Sequence, residues 1–220
     1  ITPVLAVLLA VLLCGTALAA DLPEVQDAAA VIAEEAGVKP GELLKDAELF
    51  PAGSSVNDWL AMAFALGGAE ESYDAYLDGL RGYVTECYAQ QGCLHTVKAT
   101  EYHRIALTVL ALGGDPTGFG ERPDGSPVDL VADGVWHFEK LGMQGLNGKI
   151  FALILADAGN YTAPADSLFT REGLVSDILA AQEPDGGFGL SGGASDADIT
   201  AMALQALAPY KEQCGPAIQS

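Results

Sequence analysis

The stretch that decides the fold is Ala181–Tyr210, AQEPDGGFGLSGGASDADITAMALQALAPY, in which a glycine-rich turn leads into an apolar helix. From Ile199 to Ala208, only the second and seventh residues, threonine and glutamine, are polar. A helix that is hydrophobic on every side is buried among other helices. This stretch therefore predicts an interior helix of an all-α protein.

The start of this helix carries side chains that cap helices. Ser195, Asp196 and Asp198 are of the types that accept hydrogen bonds from first-turn amides, and the acidic ones complement the helix dipole. We expect Asp196 or Asp198 to be the capping residue. The sequence thus places two carboxylates at the mouth of a buried helix.

Earlier segments repeat the apolar helix. The tetrapeptide Ala-Leu-Gly-Gly at 65–68 recurs at 111–114, which is 46 residues later, and each copy ends an apolar segment. A period of this length is typical of arrays of helical hairpins. The four predicted apolar helices are Ser55–Leu66, Thr100–Leu112, Gln144–Gly159 and Ile199–Ala208.

Helices of a second kind lie between them. These segments are apolar on one side only, and Gly37 is expected to end the first. The predicted one-sided helices are Asp21–Val38, Ser72–Glu86, Val128–Leu141 and Arg171–Gln182. The alternation predicts an inner layer of apolar helices covered by an outer layer. An open solenoid and a closed α/α barrel both fit, and the wholly apolar inner helices favour closure.

In such a barrel the inner helices present their starts to one mouth, where we predict a ligand-binding site. The chain places its most polar and aromatic set there. The predicted residues are Asn57, Asp58, Trp59, Glu101, Tyr102, His103, Arg104, Gln144, Asn147, Asp196 and Asp198.

The chain begins with a segment typical of export. Ile1–Ala20 carries no charge and ends in a small-x-small pattern, which predicts a cleaved signal peptide, with a membrane-spanning helix as the alternative. Residues 21–220 are expected to form one domain. The formal net charge of −20 repels phosphate backbones and anionic lipid headgroups. We therefore expect no nucleic-acid partner, and no membrane contact beyond an uncleaved signal segment.

Three cysteines follow the predicted signal peptide. Cys87 and Cys93 flank the turn-like sequence 88–92 and could form a disulfide in an oxidising compartment. Cys214 is then unpaired, which suggests that the chain continues beyond Ser220.

Three passages resemble the prenyltransferase and squalene-cyclase repeat superfamily, the α/α toroids. Gln182–Phe188 resembles the Q-x3-G-x-W motif of terpene cyclases, with Phe188 in place of Trp. Residues 196–201, DADITA, resemble the D-x-D-D-T-A motif of class II cyclases, with Ile199 replacing the last Asp. The longer passages 100–153 and 200–210 are similar to secreted surface toroid proteins of Gram-positive bacteria, and animal cobalamin carriers are more distant relatives.

The resemblance implies a toroid of about four hairpins, fewer than the six of a complete toroid, so we expect a truncated one. It also implies that Asp198, with Asp196 beside it, would be the general acid if the chain were a cyclase. The structural alternative is that these carboxylates only cap the helix. Replacement of the motif's last Asp by Ile199 favours a protein without catalysis.

Other sequence features give weaker evidence about function. Residues 189–193 fit G-x-S-x-G, but a hydrolase nucleophile requires a preceding strand and an immediately following helix. Gln182 and Phe188 are expected to be a structural link, since a side-chain amide can satisfy backbone groups. Asp185, Asp196 and Asp198 match no calcium loop, and the three histidines show no metal-ligand spacing. Trp59, Trp136 and Tyr102 could line an apolar pocket or belong to the core.

Three functions remain open. The first is a secreted or cell-surface, non-catalytic toroid module that binds a small molecule or a surface partner at the inner-helix mouth. The second is a terpene-cyclase-like enzyme that uses Asp198, and the third is a structural segment of a larger surface protein. We expect no metal and no cofactor.

Overall fold

The computed structural model describes residues 22–218, and side chains as far as Gly215. Within that range the chain is helical and has no strand, which confirms the all-α prediction. None of the helices in this range is long and apolar enough to cross a bilayer. The predicted signal peptide at 1–20 lies outside the described residues.

Eight α-helices run along the described chain. Four helices, α1, α4, α5 and α7, lie within two residues of their predicted bounds at both ends, and α2 has the predicted bounds. In order they are α1 (Pro23–Ala36), α2 (Ser55–Leu66), α3 (Tyr73–Gln91), α4 (Ala99–Ala111), α5 (Leu146–Ala158), α6 (Arg171–Leu179), α7 (Ala197–Leu207) and α8 (Lys211–Ile218).

The helices form two compact units. The first unit runs to Leu94 and includes Arg104–Asp129, and the second comprises His95–His103 and the chain from Leu130 onward. Helix α4 therefore contributes its first five residues to the second unit and the remainder to the first. Each unit is described separately below.

In the first unit, helices that follow one another in the chain pack against each other. Helix α1 ends at Gly37, as predicted, and packs against α2, which packs against α3. The short 3-10 turn Leu43–Lys45 covers another part of α3 and buries its two leucines. Helix α3 buries one side, which includes Tyr76, Leu80 and Val84, as its one-sided pattern predicts.

The second unit is organised around α5. This helix packs against α6 on one side and α7 on another, and α8 packs against α7. Helix α6 buries Leu174, Val175 and Ile178, as its one-sided pattern predicts.

The four apolar helices are not equally buried. Residues 102–109 of α4 are all buried, and most of α5 is buried as well. The expectation of full burial is wrong for the other two, because Val56 of α2 is 75% exposed and Leu204 of α7 is 38% exposed. These helices bury one face only, so an apolar composition is not sufficient to enclose a helix on every side.

The predicted helix Val128–Leu141 does not form. Residues 130–131 are helical and run into a five-residue π-turn, Ala132–Trp136, which is followed by a 3-10 turn at Leu141–Gln144. The cause is a close approach between Gly134 and α4, where a Cβ on Gly134 would lie 2.3 Å from the Cβ of Tyr102. Glycine fits this close contact, but it also has a low helix propensity. The contact is between residues far apart in the sequence, so no local pattern indicates it.

The segment between the two cysteines differs from prediction. Residues 88–91 are the last turn of α3, which ends at Gly92 in a left-handed conformation. Cys87 therefore lies on the helix, Cys93 follows its cap, and Cys93 is a free thiol. The two sulfurs are not joined in this structure, and the disulfide stays a prediction that thiol labelling of the protein under oxidising conditions can test.

Candidate functional site

A groove of about 480 Å³ lies in the second unit, between the start of α5, the end of α6 and the glycine-rich loop that precedes α7. Its walls come from the start of α5, the end of α6 and the glycine-rich loop 183–196. This volume lies within the range of small-molecule sites. We call it the glycine-loop groove, and its lining includes Gly145, Leu146, Lys149, Asp177, Glu183 and Leu190–Gly193.

The base of the loop is a small turn closed by hydrogen bonds. The side-chain Nε2 of Gln182 donates to the carbonyl oxygen of Gly186 at 2.8 Å, and Gln182 pairs with Phe188 in an isolated antiparallel bridge. Phe188 is 1% exposed. The predicted structural link between Gln182 and Phe188 is therefore confirmed.

Further contacts attach this turn to α7. The hydroxyl of Ser195 donates to Asp185, and the backbone amide of Phe188 donates to the hydroxyl oxygen of Thr200 at 2.9 Å. The hydrogen bonds from Ser195 and Gly187 hold the pKa of Asp185 below its usual value. The loop is thus held at both ends, which keeps the groove wall in place.

Asp196 caps α7. Its Oδ1 accepts the backbone amides of Asp198 and Ile199, each at 3.0 Å. Asp198 lies one position inside the helix and is exposed. A general acid for a weakly basic substrate requires burial to raise its pKa. The structure gives Asp198 no such enclosure.

A second contact joins the loop to α5. The backbone amide of Leu146, at the start of α5, donates to the carbonyl oxygen of Leu190 at 2.7 Å. Gly145, which precedes it, has φ +66° and ψ −150°, and a Cβ there would lie 2.0 Å from the Leu190 oxygen. Only glycine adopts this backbone without strain and allows this approach.

A third contact joins α5 to α4. The side-chain Oε1 of Gln144 accepts the backbone amide of Thr100 at 3.2 Å and lies 3.1 Å from its hydroxyl. Within the second unit, the starts of α4, α5 and α7 are therefore linked in sequence. The predicted closed barrel with a common mouth stays a prediction.

The charged pair in the groove was not predicted. Lys149 Nζ lies 2.8 Å from Asp177 Oδ2, and the two side chains are 29% and 45% exposed. The residues are 28 positions apart, on α5 and α6, so no local pattern indicates the pair. An accessible ion pair of this kind contributes little stability and can be exchanged for a ligand.

Two predicted site residues in the first unit form a buried network. Arg104 Nε lies 2.9 Å from Asp58 Oδ2, while Asp58 Oδ1 accepts the Tyr76 hydroxyl at 2.7 Å and the Gly53 amide at 3.0 Å. Burial raises the pKa of Asp58, and the hydrogen bond from Tyr76 and the charge of Arg104 oppose that rise. Both side chains are enclosed, so they hold the fold and do not face a ligand.

The other predicted site residues are distributed between the two units. Asn57 is half-buried in the first turn of α2 and donates to the Pro51 carbonyl oxygen at 3.1 Å. Tyr102 is 2% exposed and stacks edge-on against Phe138, so it belongs to the core. Trp59, Glu101 and Asn147 are half-buried, and Asn147 Oδ1 is enclosed with no hydrogen-bond partner among the described residues.

His103 is fully enclosed. Its Nε2 lies 2.8 Å from the carbonyl oxygen of Gly134, which assigns the proton to Nε2, and Nδ1 has no partner within the described residues. Burial lowers its pKa to about 4, although the Gly134 hydrogen bond acts in the opposite direction. His103 is therefore neutral at pH 7 and supports the π-turn.

The structure also contains a turn that was not predicted from the sequence. Glu121–Pro127 closes through an isolated bridge that matches the one between Gln182 and Phe188, and both turns carry Pro-Asp-Gly at the same positions. Asp124 accepts the amide of Ser126 as Asp185 accepts that of Gly187. The repeated Pro-Asp-Gly was a signal present in the sequence.

Two other site types find no support in the described part of the chain. No group of three or more potential ligands there could hold a metal ion. Ser191, the serine of the G-x-S-x-G match, is exposed on a bend and has neither a preceding strand nor an immediately following helix. A cleft of about 190 Å³ in the first unit is lined by Glu70, Glu71 and small residues, and is too small for most ligands.

The described residues form an all-helical protein that has a groove large enough for a small molecule in its second unit. No protein-family profile matches the sequence, and neither curated proteins nor solved structures show significant similarity to it.

Proposed function

We propose that this chain is a non-catalytic binding module of the α/α-toroid kind, and that it binds its ligand in the glycine-loop groove. The observation that carries the proposal is the attachment of the glycine-rich loop to the start of α5 on one side and to α7 on the other, which forms the wall of this groove in the second unit. The loop contacts of Leu190, Gly145 and Thr200 hold the groove in shape before any ligand arrives. A site formed in advance binds with less loss of conformational entropy.

The proposal favours binding over catalysis because of Asp198. The carboxylate that would be the acid of a cyclase is exposed in the first turn of α7, and Ile199 occupies the position of its partner. Asp196, the other carboxylate of the motif, accepts two backbone amides as a cap. Capping explains both residues without any chemistry.

We further propose that the module acts outside the cell or on its surface, either alone or within a larger surface protein. The support is the uncharged, apolar segment Ile1–Ala20 with its small-x-small end. The strongly acidic composition agrees with a protein that remains apart from nucleic acids and anionic lipids.

The binding proposal can be tested by NMR with a pooled library of small fragments. In 15N-labelled protein, we expect fragments to shift the amide signals of residues 183–196 in preference to the rest of the chain. Ser191→Trp should fill the groove and abolish these shifts. Thr162→Trp, at an exposed position outside the groove, is the matched control. Shifts scattered over the surface, or unaffected by Ser191→Trp, would reject the proposal.

A further inference from the structure

The glycine-loop groove carries charges of both signs. Lys149 is its cation, while Asp177 and Glu183 are its carboxylates. Glu183 accepts the Gly193 amide at 2.8 Å through Oε1, and its Oε2 has no hydrogen bond in the described part of the chain. The ammonium group of Lys149 has three N–H donors. One of them is used by Asp177, which leaves two for a ligand.

The loop adds backbone donors to the same groove. The amides of Leu190, Ser191 and Gly192 make no hydrogen bond within residues 22–218, and these three residues line the groove. Leu190 and Ser191 are exposed. Free amides beside a lysine are the groups that bind a carboxylate.

The net charge of the chain restricts which ligands can bind to these groups. A net charge of −20 opposes the approach of a ligand that carries only negative charge. A ligand with only positive charge would meet Lys149. A ligand that carries both charges satisfies the lysine and the two carboxylates together.

From this arrangement we infer that the groove binds a zwitterion of the amino-acid or short-peptide class. The ligand's carboxylate replaces Asp177 on Lys149 and accepts the loop amides, and its ammonium group lies against Glu183 or the released Asp177. This inference rests on the proposed function, because it assigns the ligand of the same groove.

The test uses four peptides of equal backbone length against the 15N-labelled, full-length protein. They are triglycine, N-acetyltriglycine, triglycine amide and N-acetyltriglycine amide. Triglycine should shift the signals of Leu190–Gly193 in a saturable way. Each singly blocked peptide should bind about tenfold more weakly, because it loses one charged contact. The doubly blocked peptide should cause no shift.

Variants separate the groove from general charge effects. Lys149→Gln should weaken triglycine binding about tenfold, whereas Lys140→Gln, which removes an exposed lysine outside the groove, should not change it. The inference is overturned if the doubly blocked peptide binds as well as triglycine, or if triglycine causes no shift. If fragments still bind in the groove while triglycine does not, the proposed function stands and only the ligand class is wrong. If neither binds, both fail.

Discussion

The guanidinium of Arg104 lies 2.9 Å from the carboxylate of Asp58, and both side chains are buried. The pair joins the second turn of α4 to the first turn of α2 within the first unit. Tyr76 of α3 donates to the same carboxylate, so one aspartate connects three helices.

We expect Asp58→Ala to destabilise the protein by about 3–5 kcal/mol, because it removes the carboxylate that neutralises the buried charge of Arg104. Urea unfolding measures this loss. The double variant Asp58→Ala/Arg104→Met should be more stable than the sum of the single variants implies. A loss below about 1 kcal/mol for Asp58→Ala, as for an exposed pair, would contradict the account.

Acid should unfold the protein partly through His103. Its folded pKa of about 4 lies below the unfolded value, so between the two values the unfolded state binds more protons. The stability is present above about pH 6.5 and is lost as the pH falls towards 4, by up to about 3 kcal/mol.

His103→Gln retains a donor for Gly134 but cannot titrate, so its stability should fall less over that pH range than that of the wild type. Urea midpoints at several pH values measure the difference. His137→Gln removes an exposed histidine and is the control. Parallel pH profiles for wild type and His103→Gln would refute this role of His103.

Asp196 and Asp198 provide a matched pair. Asp196→Ala removes both cap hydrogen bonds of α7 and should cost about 1 kcal/mol. Asp198→Ala removes an exposed carboxylate that makes no cap, and should cost less. Thermal melts of both variants test this order, and equal losses, or a larger loss at Asp198, would show that the cap is misassigned.

Gly145→Ala tests the contact between loop and helix. Its Cβ would collide with the Leu190 carbonyl oxygen and strain the backbone, so we expect a loss of at least about 2 kcal/mol. Gly82→Ala, in α3 with open space around it, should instead stabilise by about 0.5–1 kcal/mol. A neutral Gly145→Ala would show that the loop does not lie against α5.

The sequence predicted elements whose signals are local. Helix α2 has its predicted bounds, and Gly37 ends α1 as expected, because turns and apolar periodicity act within a few residues. The π-turn at 132–136 was not predicted. It depends on the close contact between Gly134 and Tyr102, which lie 32 positions apart in the sequence.

The candidate site also has features that local sequence signals predict and features that they do not. The structural link between Gln182 and Phe188 was predicted from the sequence. The pair Lys149–Asp177 and the enclosure of Asp58 with Arg104 were not, because each depends on which helix faces which. The repeated Pro-Asp-Gly turn was visible in the sequence and was overlooked.

The central claim is that this protein binds and does not catalyse, and product analysis with a polyprenoid tests it most directly. Purified wild type and Asp198→Asn are each incubated with squalene and with geranylgeranyl diphosphate, and the extracts are analysed by mass spectrometry. The account predicts no cyclised product from either protein, because Asp198 is exposed and lacks its acidic partner. Cyclised product from the wild type that is absent with Asp198→Asn would contradict it.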